Sequence, residues 1–263
     1  MSNENNESEY YDAMLDLLEW IWGEGYMAPG GEGNVDLLVG NLDIRGKKVL
    51  DVGSGLGGPA FVLAGKYGAH VTGTDLELHL IARANSRARE LGLDDQVEFR
   101  QVEAGPLDFT DSTFDLVVSS GAITQTADKL GIFSEICRVL KPGGMISCYD
   151  WMKSDGEYSK DMLRWFELEG LTYAMETLEA HGEILAEAGF IEIELEDASV
   201  WYRRECRREY ELLSGDGYRE VVRLIGKDEA DHLIESWKAM ARLCENGEMR
   251  QGYCRARKPQ AGT

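Results

Sequence analysis

From Lys48 onward, short apolar runs alternate with amphipathic stretches. The runs Val49–Val52, His70–Thr74, Val97–Gln101, Phe114–Ser119 and Met145–Tyr149 predict buried strands. Between them, Pro59–Tyr67, Leu78–Leu91 and Lys129–Leu140 predict helices, the last ended by Lys141-Pro142-Gly143-Gly144. Alternating β and α elements imply a parallel sheet covered on both faces, because right-handed crossovers put the helices there. Ahead of this region, Tyr10, Met14, Leu17, Leu18 and Ile21 recur at helical spacing over Tyr10–Trp22, and Gly23-Glu24-Gly25 stops the helix. A second short helix after Pro29-Gly30-Gly31 uses Val35, Leu38 and Val39. Beyond the alternating region, Glu157–Gly170 and Leu178–Ala188 read as helices, with Phe190–Leu195 and Met249–Arg257 as strands. The mostly helical stretch Val200–Asn246 between those two strands is too long for an ordinary connection and is expected to form a lid over the carboxyl edge of the sheet. The pattern predicts an α/β, doubly wound fold of seven strands. Residues 1–45 form an N-terminal helical cap, 46–199 with 247–263 the sheet domain, and 200–246 the helical substrate lid.

Charge changes the picture of partners. The chain has 27 basic and 48 acidic residues, a formal net charge of −21, so phosphate backbones and anionic membranes repel it, and neither nucleic acid nor a membrane is expected as a partner. No apolar stretch approaches a membrane span, residues 1–6 have no signal-peptide character, and the expectation is a cytoplasmic monomer or homodimer. The five cysteines, Cys137, Cys148, Cys206, Cys244 and Cys254, make no C-x-x-C pair, and the four histidines have no metal-ligand spacing, so no disulfide framework and no metal are expected.

Candidate chemistry starts at Val49-Leu50-Asp51-Val52-Gly53-Ser54-Gly55-Leu56-Gly57-Gly58, a strand running into a glycine-rich turn and then a helix. Gly53 and Gly55 allow the sharp turn and let a ligand approach without a Cβ in the way. The bare spacing is shared with NAD and FAD sites. Asp51 separates the readings: a carboxylate there opposes a pyrophosphate and favours S-adenosylmethionine, whose ammonium and sulfonium are cationic. Asp75, ending the second strand, has the spacing of a carboxylate that accepts both ribose hydroxyls, with Leu76 beside it for the adenine face. Glu103 is placed for the adenine amino group and the Val102 backbone for its ring nitrogen. An NAD-dependent oxidoreductase and a non-catalytic S-adenosylmethionine-binding protein stand as the rival readings.

These segments, with the Phe114–Ser119 strand (Ser119 at its end) and Arg138-Val139-Leu140-Lys141-Pro142-Gly143-Gly144, resemble class I S-adenosylmethionine-dependent methyltransferases in order and spacing over about residues 46–150. The resemblance implies a Rossmann-like seven-stranded sheet, S-adenosylmethionine as cofactor and a small-molecule methyl acceptor. A second resemblance, to phosphoethanolamine N-methyltransferases and sarcosine/dimethylglycine N-methyltransferases, rests on Trp22-Gly23-Glu24-Gly25-Tyr26, Lys66-Tyr67-Gly68-Ala69, Asp128-Lys129-Leu130 with Phe133-Ser134-Glu135, and Gly252-Tyr253. The phosphobase enzymes carry an Asp-Ala-x-x-His segment after the fourth strand, whose histidine works with an N-terminal tyrosine. Here the segment is Gly121-Ala122-Ile123-Thr124-Gln125, so Gln125 takes the histidine's place while Tyr10, with Tyr11 as alternative, takes that of the tyrosine. Leu171 and Met240 fall near the family's arginine and lysine, which leaves a substrate phosphate short of partners.

Aromatic residues gather near these positions. Trp22, Tyr26, Trp151, Tyr173 and Trp201, with Tyr11, are the candidate substrate contacts, since their rings attract methylated ammonium groups. Gln125 cannot accept a proton usefully, although it can hydrogen-bond a substrate. The leading expectation is N-methylation of a small amine or amino acid of the sarcosine, dimethylglycine or betaine type, with S-methylation of a thioether next. The pairs Arg203-Arg204 and Arg207-Arg208 are expected to pair with Glu205 and Glu209 rather than hold a substrate carboxylate.

Overall fold

A computed structural model describes residues 11–262. Seven strands form one sheet in the order β3-β2-β1-β4-β5-β7-β6. They are β1 (Lys48–Val52), β2 (His70–Asp75), β3 (Val97–Gln101), β4 (Phe114–Ser120), β5 (Leu140–Lys153), β6 (Ile191–Asp197) and β7 (Met249–Arg257). The helices are α1 (Asp12–Trp22), α2 (Gly31–Val39), α3 (Gly58–Gly65), α4 (Leu78–Glu90), α5 (Lys129–Val139), α6 (Lys160–Glu169), α7 (Leu178–Glu187), α8 (Ser199–Ser214), α9 (Tyr218–Ile225) and α10 (Lys227–Asn246). A single 3-10 turn, Ile123–Gln125, follows β4.

The doubly wound sheet predicted by the alternation is present. Val49 and Leu50 in β1 and Val117 and Val118 in β4 are almost fully buried, as expected of central strands covered on both faces. The parallel expectation fails at one strand. β7 runs antiparallel to both β5 and β6, with Met145 opposite Arg257 and Lys153 opposite Met249. The reason is where the helical insertion attaches. The chain leaves the sheet at the carboxyl end of β6, passes through α8, α9 and α10, and returns at that same edge after Gly247, so the next strand can only run back down.

Two boundaries also move. Lys141-Pro142-Gly143-Gly144 is not a loop before a strand from Met145 but part of β5, in a bulge that takes the partner from Leu140 to Met145 while β4 advances from Phe114 to Leu116. Pro142 has no N–H and Gly143 sits at φ +77°, both suited to a bulge. The helix expected from Glu157 starts at Lys160, where the Ser159 hydroxyl caps it by accepting from Met162 N at 3.1 Å.

The apolar interior has two large regions. One lies around the sheet, with Val49, Leu63, Val71, Phe99 and Val118 on one side and Leu50, Val117, Phe133, Ile136 and Ile146 on the other. The other joins α1, α6, α8, α9 and α10 through Leu17, Leu18, Trp165, Tyr202, Leu213, Val221, Trp237 and Met240. The N-terminal helix is thus built into the same apolar cluster as the 199–246 helices. No helix among the described residues is long and apolar enough to cross a membrane.

Candidate active site

The strand order reverses at β1 and β4, the place in an open α/β sheet where the loops diverge and leave a crevice. The glycine turn after β1 is held from beneath: Gly53 N and Ser54 N both donate to Thr74 O, at 2.8 and 2.9 Å. Gly55 N donates to Asp75 Oδ2 at 2.9 Å, and Glu77 N to Oδ1 at 3.0 Å, so the carboxylate that ends β2 is fixed against the turn. Gly53 adopts φ +72°, and a Cβ there would meet the Ala122 Cβ at 2.1 Å. Gly58 serves a different approach. Its N–H donates to Gly25 O at 2.9 Å, and a Cβ would fall 2.6 Å from that oxygen, so the last glycine of the motif receives the chain from α1 rather than a ligand.

Above the turn opens a cavity of about 520 Å³. One wall is Gly53, Ser54, Gly55, Asp75 and Leu76. The rest of the lining includes Tyr11, Trp22 and Tyr26 from the N-terminal segment, Tyr26 beside Gly58 of the glycine motif, with Gln125 from the 3-10 turn, Trp151 from β5, Tyr173, and Leu233, Ser236, Trp237 and Met240 from α10. The structure therefore gathers most of the sequence-predicted residues around one space. Tyr10 lies outside the described residues.

Five predicted residues are not on the wall. Asp51 is buried beneath the turn, and neither carboxylate oxygen has a hydrogen-bond partner. Ser119 is also buried, its hydroxyl donating to Val52 O at 2.9 Å; strand alternation puts Ser120 on the wall instead. Val102 and Glu103 sit next to it, Val102 N donating to Asp75 O at 2.9 Å. Trp201 is off the wall because the inward face of α8 is Tyr202, Cys206, Glu209 and Leu213, so Trp201 points aside, its ring 6.4 Å from that of Tyr202.

The 3-10 turn carrying Gln125 is tied from below. Lys129 Nζ, almost fully buried, donates to Ile123 O at 3.0 Å and Thr126 O at 2.9 Å, and the Thr124 hydroxyl donates to Trp151 O at 3.4 Å. His181 is no base for this space. It is buried off the wall with Nδ1 3.3 Å from Thr177 O, and burial with the nearby Lys129 charge lowers its pKa to about 4.

The residue that sequence reasoning missed is Glu209. It does not pair with the neighbouring arginines: Arg208 bonds Glu205 at 2.8 Å and Arg207 bonds Glu245. The Glu209 carboxylate is instead fully buried, accepting from Trp22 Nε1 at 2.6 Å and Trp237 Nε1 at 3.1 Å. An acid on the otherwise apolar face of α8 is the signal that marks it in the sequence. Likewise Leu233, Ser236, Trp237 and Met240 recur at helical spacing, and that stripe marks the face of α10 that lines the cavity.

Burial raises Glu209 to about 7, above the roughly 4.3 of an unfolded glutamate. A raised carboxyl holds its proton longer in the folded state, so its contribution to stability is present at acid pH and is lost as pH rises from about 4 to about 7. Glu209→Gln keeps the shape without the ionisation. Its melting temperature relative to wild type is expected to shift upward between about pH 5 and about pH 8; a difference that is flat with pH, or that moves the other way, contradicts the assignment.

The methyltransferase domain family matches residues 44–196, and the chain belongs to that family. Its sheet and crevice are those of the class I, Rossmann-like methyltransferases, which use S-adenosylmethionine. Among related proteins, phosphoethanolamine N-methyltransferase 1 of Zea mays is 32% identical over 89% of this chain and 46% of its own. The Arabidopsis thaliana phosphoethanolamine N-methyltransferase 1 is 29% identical over 95% of this chain and 50% of its own, so the chain spans about half the length of these curated relatives. Among solved structures, phosphoethanolamine N-methyltransferase 2 of Haemonchus contortus, in complex with phosphomonomethylethanolamine and S-adenosylhomocysteine, superposes with a TM-score of 0.88 at 27% identity, over 97% of this chain and 60% of that one. A putative sarcosine dimethylglycine methyltransferase from Galdieria sulphuraria shares the fold, with a TM-score of 0.81 at 20% identity over 94% of this chain and 97% of that one.

Proposed function

We propose that this chain transfers a methyl group from S-adenosylmethionine to the nitrogen of a small amine. The observation that carries the reading is that the Gly53–Gly55 turn, pinned to Asp75, forms one wall of the same cavity whose remaining lining carries aromatic rings and Gln125. The turn suits a ligand without phosphate. Asp51, buried beneath the turn, and Ser54, within it, have side-chain oxygens without a hydrogen-bond partner. The Asp51 carboxyl, pushed up to about 7 by burial and by the neighbouring Asp75, ionises more readily beneath a cation and would resist a pyrophosphate.

We assign Gly53, Ser54, Gly55, Asp75 and Leu76 to cofactor binding, with Asp51 acting through its charge from below. Ser119 supports the turn through Val52 rather than by contact, and Val102 and Glu103 mark the edge where adenine would lie. The cofactor supplies an electrophilic methyl group on a sulfonium centre. The protein's own part is positioning and exclusion of water, because a displacement of this kind needs the nucleophile within about 3–3.5 Å and aligned. Residues 200–246 act as the lid and the described part of the 1–45 segment, residues 11–45, as the cap, together supplying Trp22 and Trp237 for the acceptor.

Gln125 orients the acceptor through its amide, and Tyr11 or Tyr10 offers a hydroxyl; neither Gln125 nor a tyrosine of raised pKa is a base at neutral pH. Burial and the nearby Glu229 both push Tyr11 upward. The proton of an ammonium acceptor therefore leaves to solvent before transfer. The wild-type rate is expected to climb toward the acceptor's own amine pKa, with no plateau near the histidine value of about 6.5, and Gln125→His is expected to keep substantial activity at alkaline pH. A plateau at neutrality would show a protein base and contradict this step. A rate that does not depend on the acceptor's pKa would point to a thioether instead.

A further inference from the structure

The acceptor end of the cavity has a charge pattern that narrows the substrate. Besides Asp75 and Glu77 beside the cofactor turn, the cavity is lined by Glu169 and Glu229, and among its described lining residues there is no lysine or arginine. Leu171 and Met240, rather than charged side chains, are on the wall. The one imidazole there, His232, has Nε2 2.7 Å from Leu168 O and so has that nitrogen engaged. A phosphate or carboxylate buried in this space would lose its water without gaining a cationic partner, a cost that unpaired buried anions do not recover.

The same space has a device for the opposite charge. Trp22 from α1 and Trp237 from α10 both face the cavity, their ring centroids 6.1 Å apart and their planes 34° from parallel. Each indole N–H is donated to one oxygen of Glu209, which reaches them from behind on α8. A carboxylate accepting from both indoles locks two rings from different parts of the chain into one orientation. Above about pH 7, where it is ionised, its negative charge also adds to the attraction that aromatic faces exert on cations.

Resting on the methyltransferase reading, we infer that this site takes a cationic amine bearing neither phosphate nor carboxylate, its ammonium held by the Trp22–Trp237 pair that Glu209 braces. The pair recognises the charged nitrogen, and the apolar wall of Leu171, Leu233 and Met240 receives an uncharged remainder. Glu209 is a positioning residue, since it touches the indoles and not the ligand.

Three trimethylammonium probes differ only in the group that matters: choline carries a hydroxyl, phosphocholine a phosphate and glycine betaine a carboxylate. Titration calorimetry on the whole chain, with S-adenosylmethionine titrated separately, is expected to show choline binding at least about tenfold more tightly than the other two, a gap of about 1.4 kcal/mol. Choline is also expected to bind more tightly than its uncharged carbon isostere, dimethylbutanol. Glu209→Gln and Trp237→Phe, the second of which keeps a ring but drops the N–H, should each reduce choline affinity while leaving dimethylbutanol affinity unchanged. A merely structural role would weaken both ligands together. The inference is overturned if phosphocholine or glycine betaine binds as tightly as choline, if choline does not bind, or if choline and dimethylbutanol are not distinguished. Failure of S-adenosylmethionine to bind, with the choline preference intact, would instead remove the methyltransferase reading.

Discussion

Asp75→Ala is expected to weaken S-adenosylmethionine binding about 10- to 100-fold, or about 1.5–3 kcal/mol, the scale of charge-assisted hydrogen bonds to two hydroxyls. The structure adds a second reason for the loss. Asp75 also accepts from Gly55 N and Glu77 N, so its removal frees the turn as well as deleting the ribose partner. Thr74 O still holds Gly53 and Ser54, and the β1–β2 register is unaffected, so the fold should persist. Calorimetric titration gives the affinity and thermal melting the stability. A variant that binds normally would take Asp75 out of the site, and one that does not fold would make its role structural.

Gly53→Val should cost more, and through the fold itself. The position has φ +72°, where a β-branched residue is strained, and its Cβ would lie 2.1 Å from that of Ala122, between two loops held by strands β1 and β4. Backbone strain and overpacking together predict a loss of about 2–5 kcal/mol, a fall in melting temperature on the order of 5–20 °C, and no measurable cofactor binding. Gly92→Ala is the matched control. Gly92 also has positive φ, at +66°, but nothing lies within 4 Å of its Cβ position, so only the strain of about 1–2 kcal/mol should appear. Equal losses in the two variants would mean that the Ala122 contact does not matter.

The glycine turn and the acid after β2 were legible in the sequence because their constraints are local. A backbone that must turn at φ +72° selects glycine, and a carboxylate that closes a strand onto that turn sits at a fixed separation from it. The strands were legible because a sheet covered on both faces leaves uninterrupted apolar runs. The direction of β7 was not, since it depends on where the 199–246 helices return to the sheet, and nothing in Met249–Arg257 itself records it.

The acceptor side was harder for the same reason. Trp22, Trp237 and Glu209 come from α1, α10 and α8, and no spacing relates them. Each could be marked within its own helix, Glu209 as an acid on an apolar face and Trp237 as part of the 233–240 stripe. Only the packing of the three helices shows that one carboxylate serves both indoles. Trp201 drew attention as an aromatic at the start of the same helix, yet the face that turns inward begins one residue later. The motif marks Ser119 as a cofactor contact, and in the structure its hydroxyl donates to Val52 O.

The most direct test of the central claim is a turnover assay with methyl-labelled S-adenosylmethionine over a panel of small amines, thioethers and phosphate- or carboxylate-bearing amines, read by mass spectrometry for S-adenosylhomocysteine and for labelled acceptor. The expected result is S-adenosylhomocysteine formed in step with label on the nitrogen of an amine, and loss of both in Asp75→Ala. Cofactor binding without S-adenosylhomocysteine for any acceptor, or label found only on sulfur, would contradict it.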